Sequence, residues 1–347
     1  MKKYCNLNNN WFKSVGTILS LFLILSVAVI GCGGSGGGSG GNGGNGDNGD
    51  DNPEPPFVPP AGISTRIIKI DTVACPEVDV YFSVYDQENG EPVRLLTDQN
   101  FQVIEDGSAK VIKEWYELDD VSDPIVFSMV LDYSVSVLDQ DLINIEDAST
   151  FFVDELFDLT APLLNWGEIT KFARDSEVIQ PFTDDKNLIL AGIAAPYPAR
   201  GTTGTQLYDA IGFEIEEMVA FRGATPGLPE RSILIVVTDG KNDSSKTYNQ
   251  ATVTEAAIDA GVEIVAVGFG SEVDLQPLFE IALDTNGLYF FAPTSDDLNG
   301  VMQLILDNLQ HQYLVIYDST GSGAHMVEVV VNTGSLSDSD SLDYECP

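Results

Sequence analysis

Solid runs of apolar residues alternate with amphipathic stretches through the middle of the chain. The stretch Ile125–Ser136 (IVFSMVLDYSVS) carries no charge before Asp132, and Ser232–Thr238 (SILIVVT) carries none at all. Runs of this kind predict strands that are buried on both faces, as in parallel sheets. Between them, Asp139–Phe157 predicts an amphipathic helix, because its apolar residues recur every three or four positions. These residues are Leu142, Ile145, Ala148, Phe152 and Leu156.

The same alternation continues to residue 309. Further strands are predicted at Glu168–Ala173, Val178–Phe182, Glu263–Gly268 and Leu288–Phe291. Further helices are predicted at Gln206–Phe221, Asn249–Ala260, Leu275–Asp284 and Ser295–Leu309. Repeated strand–helix units with apolar strands predict an α/β fold with a doubly wound, mostly parallel sheet.

The two flanks of this region have short β-branched runs separated by turns instead. On the N-terminal side, strands are predicted at Ile67–Ile70, Val78–Val84, Phe101–Val103 and Lys110–Trp115. On the C-terminal side, Tyr313–Tyr317 and Met326–Val331 predict a hairpin or strand pair. Four strands alone make a thin core. We therefore expect the two flanks to form one small antiparallel β-sandwich, into which the α/β domain is inserted.

The first 32 residues have the layout of a secretory signal. Lys2, Lys3 and Lys13 precede the apolar run Val15–Ile30. The end of this run, Val29–Cys32, resembles the bacterial lipobox, in which signal peptidase cleaves before a cysteine that carries diacylglycerol. This predicts a lipid anchor on Cys32 in a bacterial cell envelope. An uncleaved signal-anchor is the alternative, because the apolar run approaches the length of a membrane span.

A tether follows the cysteine. Gly33, rather than aspartate, comes directly after it, which by the enterobacterial sorting rule indicates the outer membrane or cell surface. The Gly- and Asn-rich part of Gly33–Pro60 predicts a flexible coil, and its Pro-rich end is stiffer. The expected organisation is a signal peptide at 1–31, a tether at 32–62, half of the sandwich at 63–120, the α/β domain at 121–310 and the completing strands at 311–347.

The formal net charge of −38 argues against nucleic acid as a partner, because phosphate binding needs a cationic surface. An acidic surface keeps a protein soluble. Recruitment of cations or basic partners is the other interpretation. We expect no enzyme, since the sequence has no Ser–His pairing, His-rich metal motif or Gly-x-Ser-x-Gly elbow.

Two of the four cysteines are free to pair with each other. Cys5 lies in the predicted signal and Cys32 carries the predicted lipid, which leaves Cys75 and Cys346, one in each flank. In an oxidising envelope compartment such thiols are expected to form a disulfide. Two unpaired thiols are the alternative.

The candidate chemistry lies where the central strands end. Asp132, Ser134 and Ser136 occur at every second position, so in an extended segment they face the same way. Thr205 stands directly before a predicted helix, and Asp239 follows the strand SILIVVT. Carboxylates and hydroxyls at the carboxyl ends of core strands are hard ligands for Mg²⁺, Mn²⁺ or Ca²⁺.

In order and context, these three elements resemble the von Willebrand factor type A domain with its metal-ion-dependent adhesion site (MIDAS). The resemblance covers 125–309, and the segment 80–107 is similar to a β module that precedes this domain in some bacterial secreted proteins. The resemblance to the type A domain implies that a divalent cation, Mg²⁺ or else Mn²⁺ or Ca²⁺, is held by Asp132, Ser134, Ser136, Thr205 and Asp239.

The resemblance also implies a function. The cation would bind an acidic side chain of a protein or extracellular-matrix partner, and an assembly or scaffold subunit of an envelope complex is the alternative. One departure is Val135, where many members of the family have a small residue. We expect Asp243 and Ser244 to be loop residues rather than ligands, and Asp209 to cap or orient a neighbouring loop.

Overall fold

The protein folds into fourteen strands and six α-helices within the residues that the computed structural model describes, which are 57–119, 123–160, 164–200, 202–271 and 273–347. The strands in the N-terminal flank are β1 (Ile63–Asp71), β2 (Glu77–Asp86), β3 (Phe101–Glu105), β4 (Ser108–Lys110) and β5 (Glu114–Leu118). Those in the middle are β6 (Val126–Asp132), β7 (Trp166–Phe172), β8 (Ser176–Thr183), β9 (Ser232–Thr238), β10 (Val262–Phe269) and β11 (Tyr289–Ala292). The last three are β12 (Gln312–Asp318), β13 (Gly323–Asn332) and β14 (Ser337–Cys346). The helices are α1 (Asp139–Thr160), α2 (Lys186–Ala194), α3 (Leu207–Ala224), α4 (Gln250–Ala260), α5 (Leu275–Asp284) and α6 (Leu298–Gln310).

A six-stranded central sheet has the order β11-β10-β9-β6-β7-β8. Its neighbouring strands run parallel except for β7 and β8, which form an antiparallel pair. The predicted doubly wound, mostly parallel sheet is therefore confirmed.

Both faces of this sheet are covered, which explains why its strands are apolar at almost every position. In β6, Phe127, Met129 and Leu131 belong to one core, together with residues of α1, α2 and α6. Val126 and Val130 point to the opposite core, which includes residues of α3, α4 and α5.

The flanks form two four-stranded antiparallel sheets around a third core, as predicted. One sheet has the order β1-β2-β12-β5 and the other β14-β13-β3-β4, so each contains strands from both flanks. β5 leads into the central domain, β12 leads out of it, and the two strands pair with each other. Nδ1 of the buried His311 lies 2.9 Å from Oδ1 of Asp119, which links the point of entry to the point of exit.

Two predictions in the flanks are wrong. Lys110–Trp115 is not one strand, because β4 and β5 lie in different sheets. Tyr313–Tyr317 and Met326–Val331 do not pair with each other either, since β12 lies between β2 and β5 whereas β13 lies between β14 and β3. In both places the chain crosses from one sheet to the other, which places apolar side chains on both sides of the sandwich core.

The structure adds two elements to those predicted. The helix α2 is short and follows β8 directly. The last strand, β14, has the sequence SDSDSLDYEC, which lacks an apolar face. Its carboxylates nevertheless bind the edge of β1. Asp338 Oδ2 accepts a hydrogen bond of 2.6 Å from the Thr65 amide, and Asp340 Oδ2 accepts one of 2.7 Å from the Ile67 amide.

Cys75 and Cys346 are joined by a disulfide, with 5.8 Å between their Cα atoms. Phe57, which falls within the expected tether, packs against Phe279 of α5 with 5.5 Å between ring centroids. The expected signal peptide, the lipidation residue Cys32 and the tether up to residue 56 lie outside the described residues. Within the described part of the chain, no helix has the length and apolar character needed to cross a membrane.

Candidate metal centre

Asp132, the last residue of β6, is completely buried at the carboxyl edge of the central sheet. Its Oδ1 accepts a hydrogen bond of 2.8 Å from the Ser134 amide. Its Oδ2 accepts one of 2.6 Å from the hydroxyl of Thr238, at the end of the neighbouring parallel strand β9. These two bonds fix the carboxylate at the place where open α/β sheets bind ligands.

A chain of oxygen atoms connects the β6 loop to the β9 loop. The hydroxyl oxygens of Ser134 and Ser136 lie 3.0 Å apart. The Ser136 hydroxyl donates a hydrogen bond of 3.0 Å to Oδ1 of Asp239, which follows β9. Ser134 and Asp239 are buried, whereas Ser136 is exposed, so one side of this chain of oxygens faces solvent.

Thr205 comes from a third loop, immediately before α3. Gly204 has a φ of +106°, which only glycine adopts without strain, and it turns the chain into this position. The Thr205 amide donates a hydrogen bond of 2.7 Å to Asp243. A Cβ placed on Gly240 would lie 3.6 Å from Thr205 Oγ1 and 3.9 Å from Asp132 Oδ2, so both oxygens face this glycine. The fold therefore brings all five predicted residues to one edge of the sheet, and we refer to them as the candidate metal centre.

The electrostatics of this edge favour a cation. Burial raises the pKa of Asp132, and hydrogen bonds from Thr238 and Ser134 oppose the shift. Burial, and then the negative charge of Asp132, raise the pKa of Asp239 to about 7, against a hydrogen bond from Ser136. Within the described ranges, neither carboxylate forms an ion pair with a lysine or arginine. Two buried acids without a basic neighbour are stabilised by a positive ion.

The donor set fits a hard divalent cation. It consists of two carboxylates and three hydroxyls, with no thiolate or imidazole, which is the ligand chemistry of Mg²⁺, Mn²⁺ or Ca²⁺. Because three of the five groups are neutral, a bound divalent ion would keep positive charge available to an incoming ligand.

Three further side chains hold this site. Asp243 and Asp209 do so as loop residues of the kind that the sequence predicts, whereas the role of Thr238 was not predicted. Thr238 bonds Asp132, and its only sequence signal is its position directly before Asp239. Asp243 accepts the Thr205 amide, as a loop residue does. Asp209, in the first turn of α3, accepts the amides of residues 246–248 at 2.8, 2.9 and 2.7 Å. It therefore orients the neighbouring loop that contains Asp243.

Val135 does not distort the β6 loop. It is absent from the non-glycine residues with positive φ in the described chain, and its side chain is 56% exposed. The departure from a small residue therefore occurs without a left-handed backbone and adds an apolar side chain to the rim.

Glu105, Asp106 and His325 are the one described group of three or more acidic, His or Cys side chains whose ligand atoms lie close together. Glu105 already accepts a hydrogen bond of 2.8 Å from Lys110 Nζ. His325 Nδ1 lies 2.7 Å from Asp106 Oδ2, its Nε2 lies 3.1 Å from the Gly321 carbonyl, and the bond to Asp106 raises its pKa. Because both ring nitrogens face oxygen acceptors, this group is an ion-pair network within the sandwich rather than a metal site.

Comparison with known proteins gave one family. The model of the von Willebrand factor type A domain matches residues 125–304, more than half of the 347 residues. None of the curated proteins matches the chain.

Solved structures with a similar fold include proximal thread matrix protein 1 from the mussel byssus, with zinc in its MIDAS motif. It is 20% identical over 55% of this chain and 49% of that chain, with a TM-score of 0.45. This chain therefore spans about half the length of the mussel protein. An aerotolerance-related membrane protein from Bacteroides fragilis is 19% identical over 53% of this chain and 98% of that chain, with a TM-score of 0.44. A von Willebrand factor type A protein from Catenulispora acidiphila is 10% identical over 82% of this chain and 73% of that chain, with a TM-score of 0.47.

Proposed function

Because the chain belongs to the von Willebrand factor type A family, we propose that it is an envelope-anchored binding module that recognises an acidic group of a protein or matrix partner through a divalent cation. Domains of this family are typically binding modules rather than enzymes. The observation that carries the proposal is the convergence of two buried carboxylates and three hydroxyls from three loops. Mg²⁺ is the proposed ion, with Mn²⁺ and Ca²⁺ as alternatives.

The residues of the candidate metal centre contribute to binding in different ways. Asp132 and Asp239 supply the negative charge, and their burial keeps that charge from being screened by water. Ser134 and Thr205 are buried beside them, whereas Ser136 is exposed and opens the site towards a partner. When bound, the cation supplies a Lewis-acidic position that attracts a carboxylate oxygen. The chain itself holds its own carboxylates in place through hydrogen bonds.

The anchor belongs to the same proposal. A lipid on Cys32 would attach the protein to the envelope, at the outer membrane or cell surface. The predicted Gly-rich tether would join this anchor to the binding domain.

The full-length protein, purified in detergent, tests this function. It is incubated with envelope and matrix protein extracts in Mg²⁺ or in EDTA, and retained proteins are identified by mass spectrometry. A partner should be retained in Mg²⁺ and lost in EDTA. Asp132→Ala should lose it in both conditions, whereas Asp259→Asn, at an exposed position on α4, should keep it.

Two further outcomes decide the mode of binding. Amidation of the partner's carboxyl groups should abolish retention, since the cation would no longer meet a charged oxygen. Retention that persists in EDTA would contradict the proposal. Recovery only as a complex of fixed stoichiometry would support the assembly role instead.

A further inference from the structure

A groove opens directly beside the candidate metal centre. It has a volume of about 510 Å³, and Ser136 and Asp239 form part of its lining. Its other walls come from the start of α1, the end of β10 and the loop after β11, including Thr294 and Asp296. A partner that reaches the cation therefore also reaches this groove.

The groove is acidic, and among the described residues its two aspartates outside the candidate metal centre have no basic partner. Besides Asp239, it contains Asp141 and Asp296. Neutral donors hold both side chains in place. The Ser295 hydroxyl donates to Asp141 Oδ1 at 2.7 Å, and the Asn144 amide donates to Asp296 Oδ1 at 2.8 Å. Among the described residues, no lysine or arginine forms an ion pair with either aspartate.

One wall of the groove is apolar. Leu138 is 66% exposed beside Ser136, and the exposed Pro293 lies on the lining as well. An exposed leucine next to carboxylates matches a long basic side chain, whose aliphatic stem packs on apolar surface while its charged head reaches acidic oxygens. A purely apolar occupant would leave the aspartates facing a low-dielectric partner, which is costly.

We propose that this groove binds an arginine or lysine side chain of the partner, next to the acidic group that reaches the cation. The inference rests on the proposed function, because continuity with the metal centre places the groove in the same interface. It narrows the partner to a segment that carries an acidic and a basic residue a few positions apart. The metal selects the acid, and the groove selects the base.

Synthetic octapeptides test the groove separately from the metal. Each contains one Asp and one Arg, in either order, separated by one to four Gly or Ser residues. Matched peptides replace Arg by citrulline, which is neutral and of similar shape, or replace Asp by Asn. Binding of these labelled peptides to the full-length protein is measured by fluorescence anisotropy in Mg²⁺ and in EDTA.

At one spacing or more, the Arg peptide should bind about fivefold more tightly than its citrulline partner, the size expected for a partly exposed charge pair. Asp296→Asn should remove most of this advantage. Asp259→Asn removes the same charge from α4, outside the groove, and should leave the advantage unchanged. Higher salt should weaken the advantage, because exposed charges are screened.

Suppose that Arg and citrulline peptides bind equally at every spacing while EDTA still abolishes binding. This result would overturn the proposal that the groove binds a basic side chain, and it would still support metal-dependent binding. An Arg advantage that survives Asp296→Asn unchanged would also overturn it. Binding that ignores EDTA and the Asp-to-Asn change, or no binding by any peptide, would count against both proposals.

Discussion

Ser136 donates a hydrogen bond of 3.0 Å to Asp239, a residue 103 positions further along the chain. The bond joins the loop after β6 to the loop after β9, so neither loop defines the site alone. A cation bound between them would hold both loops in one arrangement. Occupancy and stability of this edge should therefore be coupled, since a ligand that binds only the folded state stabilises it.

Replacing Asp239 by asparagine should have opposite effects with and without metal. The variant keeps an acceptor for Ser136 and removes a buried charge beside Asp132, so in EDTA it should be at least as stable as the wild type. In Mg²⁺ at 100 times the dissociation constant, the wild type should gain about 2.7 kcal/mol and the variant almost nothing. Thermal unfolding of both proteins in Mg²⁺ and EDTA measures this.

Asp259→Asn serves as the matched control and should gain as much from Mg²⁺ as the wild type. A wild-type melting temperature that responds neither to Mg²⁺ nor to chelator would remove the basis of the metal site. A variant that still gains the full increment would show that Asp239 takes no part in it.

Asp209→Ala should weaken metal binding without removing a proposed ligand. Its carboxylate holds three consecutive amides, at 246–248, in the loop that positions Asp243 and through it Thr205. Loss of a group that orients a ligand typically costs tenfold or more in affinity. Titration calorimetry should show that the affinity for Mg²⁺ falls about 10-fold. An affinity equal to that of the wild type would mean that the loop keeps its conformation without Asp209.

Glu168 of β7 and Glu214 of α3 are both buried, and among the described residues neither Oε1 of Glu168 nor either carboxylate oxygen of Glu214 has a hydrogen-bond donor. Burial, and then the neighbouring carboxyl group of Glu214 and the negative charge of Glu217, raise the pKa of Glu168. The folded state therefore keeps a proton that the unfolded chain releases above about pH 4.5. Stability from this pair is complete below that pH and declines as the pH rises towards the raised folded pKa.

Glu168→Gln should abolish this decline, because a neutral amide needs no proton. The unfolding free energy of the variant should match that of the wild type near pH 4.5 and exceed it at pH 8. For each proton that the folded variant no longer retains, the unfolding free energy changes less with pH, by up to about 1.4 kcal/mol per pH unit. Urea unfolding between pH 5 and 8 measures it, with Glu177→Gln, at an exposed position on β8, as control. A variant less stable than the wild type at pH 8 would contradict the retention of a proton on Glu168 in the folded state.

Removing the disulfide should destabilise the sandwich. Cys75 and Cys346 are 271 positions apart, and closing so long a loop stabilises the folded state by about 5 kcal/mol in the chain-entropy model. The double variant Cys75→Ser/Cys346→Ser should unfold at clearly lower urea, and reductant should lower the wild type to the same midpoint. A reductant effect on the double variant itself would show that another thiol is involved.

Cys32→Ser should release the protein from the membrane fraction if the lipid is the anchor. Fractionation of cells expressing the wild type and the variant, followed by immunoblotting, distinguishes the two possibilities. Cys5→Ser is the matched control, because Cys5 lies in the segment that signal peptidase would remove. Unchanged fractionation of Cys32→Ser would indicate an uncleaved signal-anchor.

The sequence by itself determined the central elements and the order of the site. The run SILIVVT became β9 with the same ends, and the amphipathic pattern after Asp139 became α1. Such patterns are local, because burial of one helix face or of a whole strand leaves its period in neighbouring residues. Asp132, Ser134 and Ser136 were visible for the same reason, as alternate positions at the end of a strand.

Only the tertiary structure decided which distant segments meet. It separated Tyr313–Tyr317 from Met326–Val331, placed the polar strand β14 against β1, and set Thr238 beside Asp132. The pairing of a strand depends on which sheet edges are still unpaired and which strand faces are needed to complete a core. The local pattern of apolar residues does not specify either. The physical reason is that a hydrogen bond across 106 or 273 positions has no trace in either neighbourhood until the chain has folded.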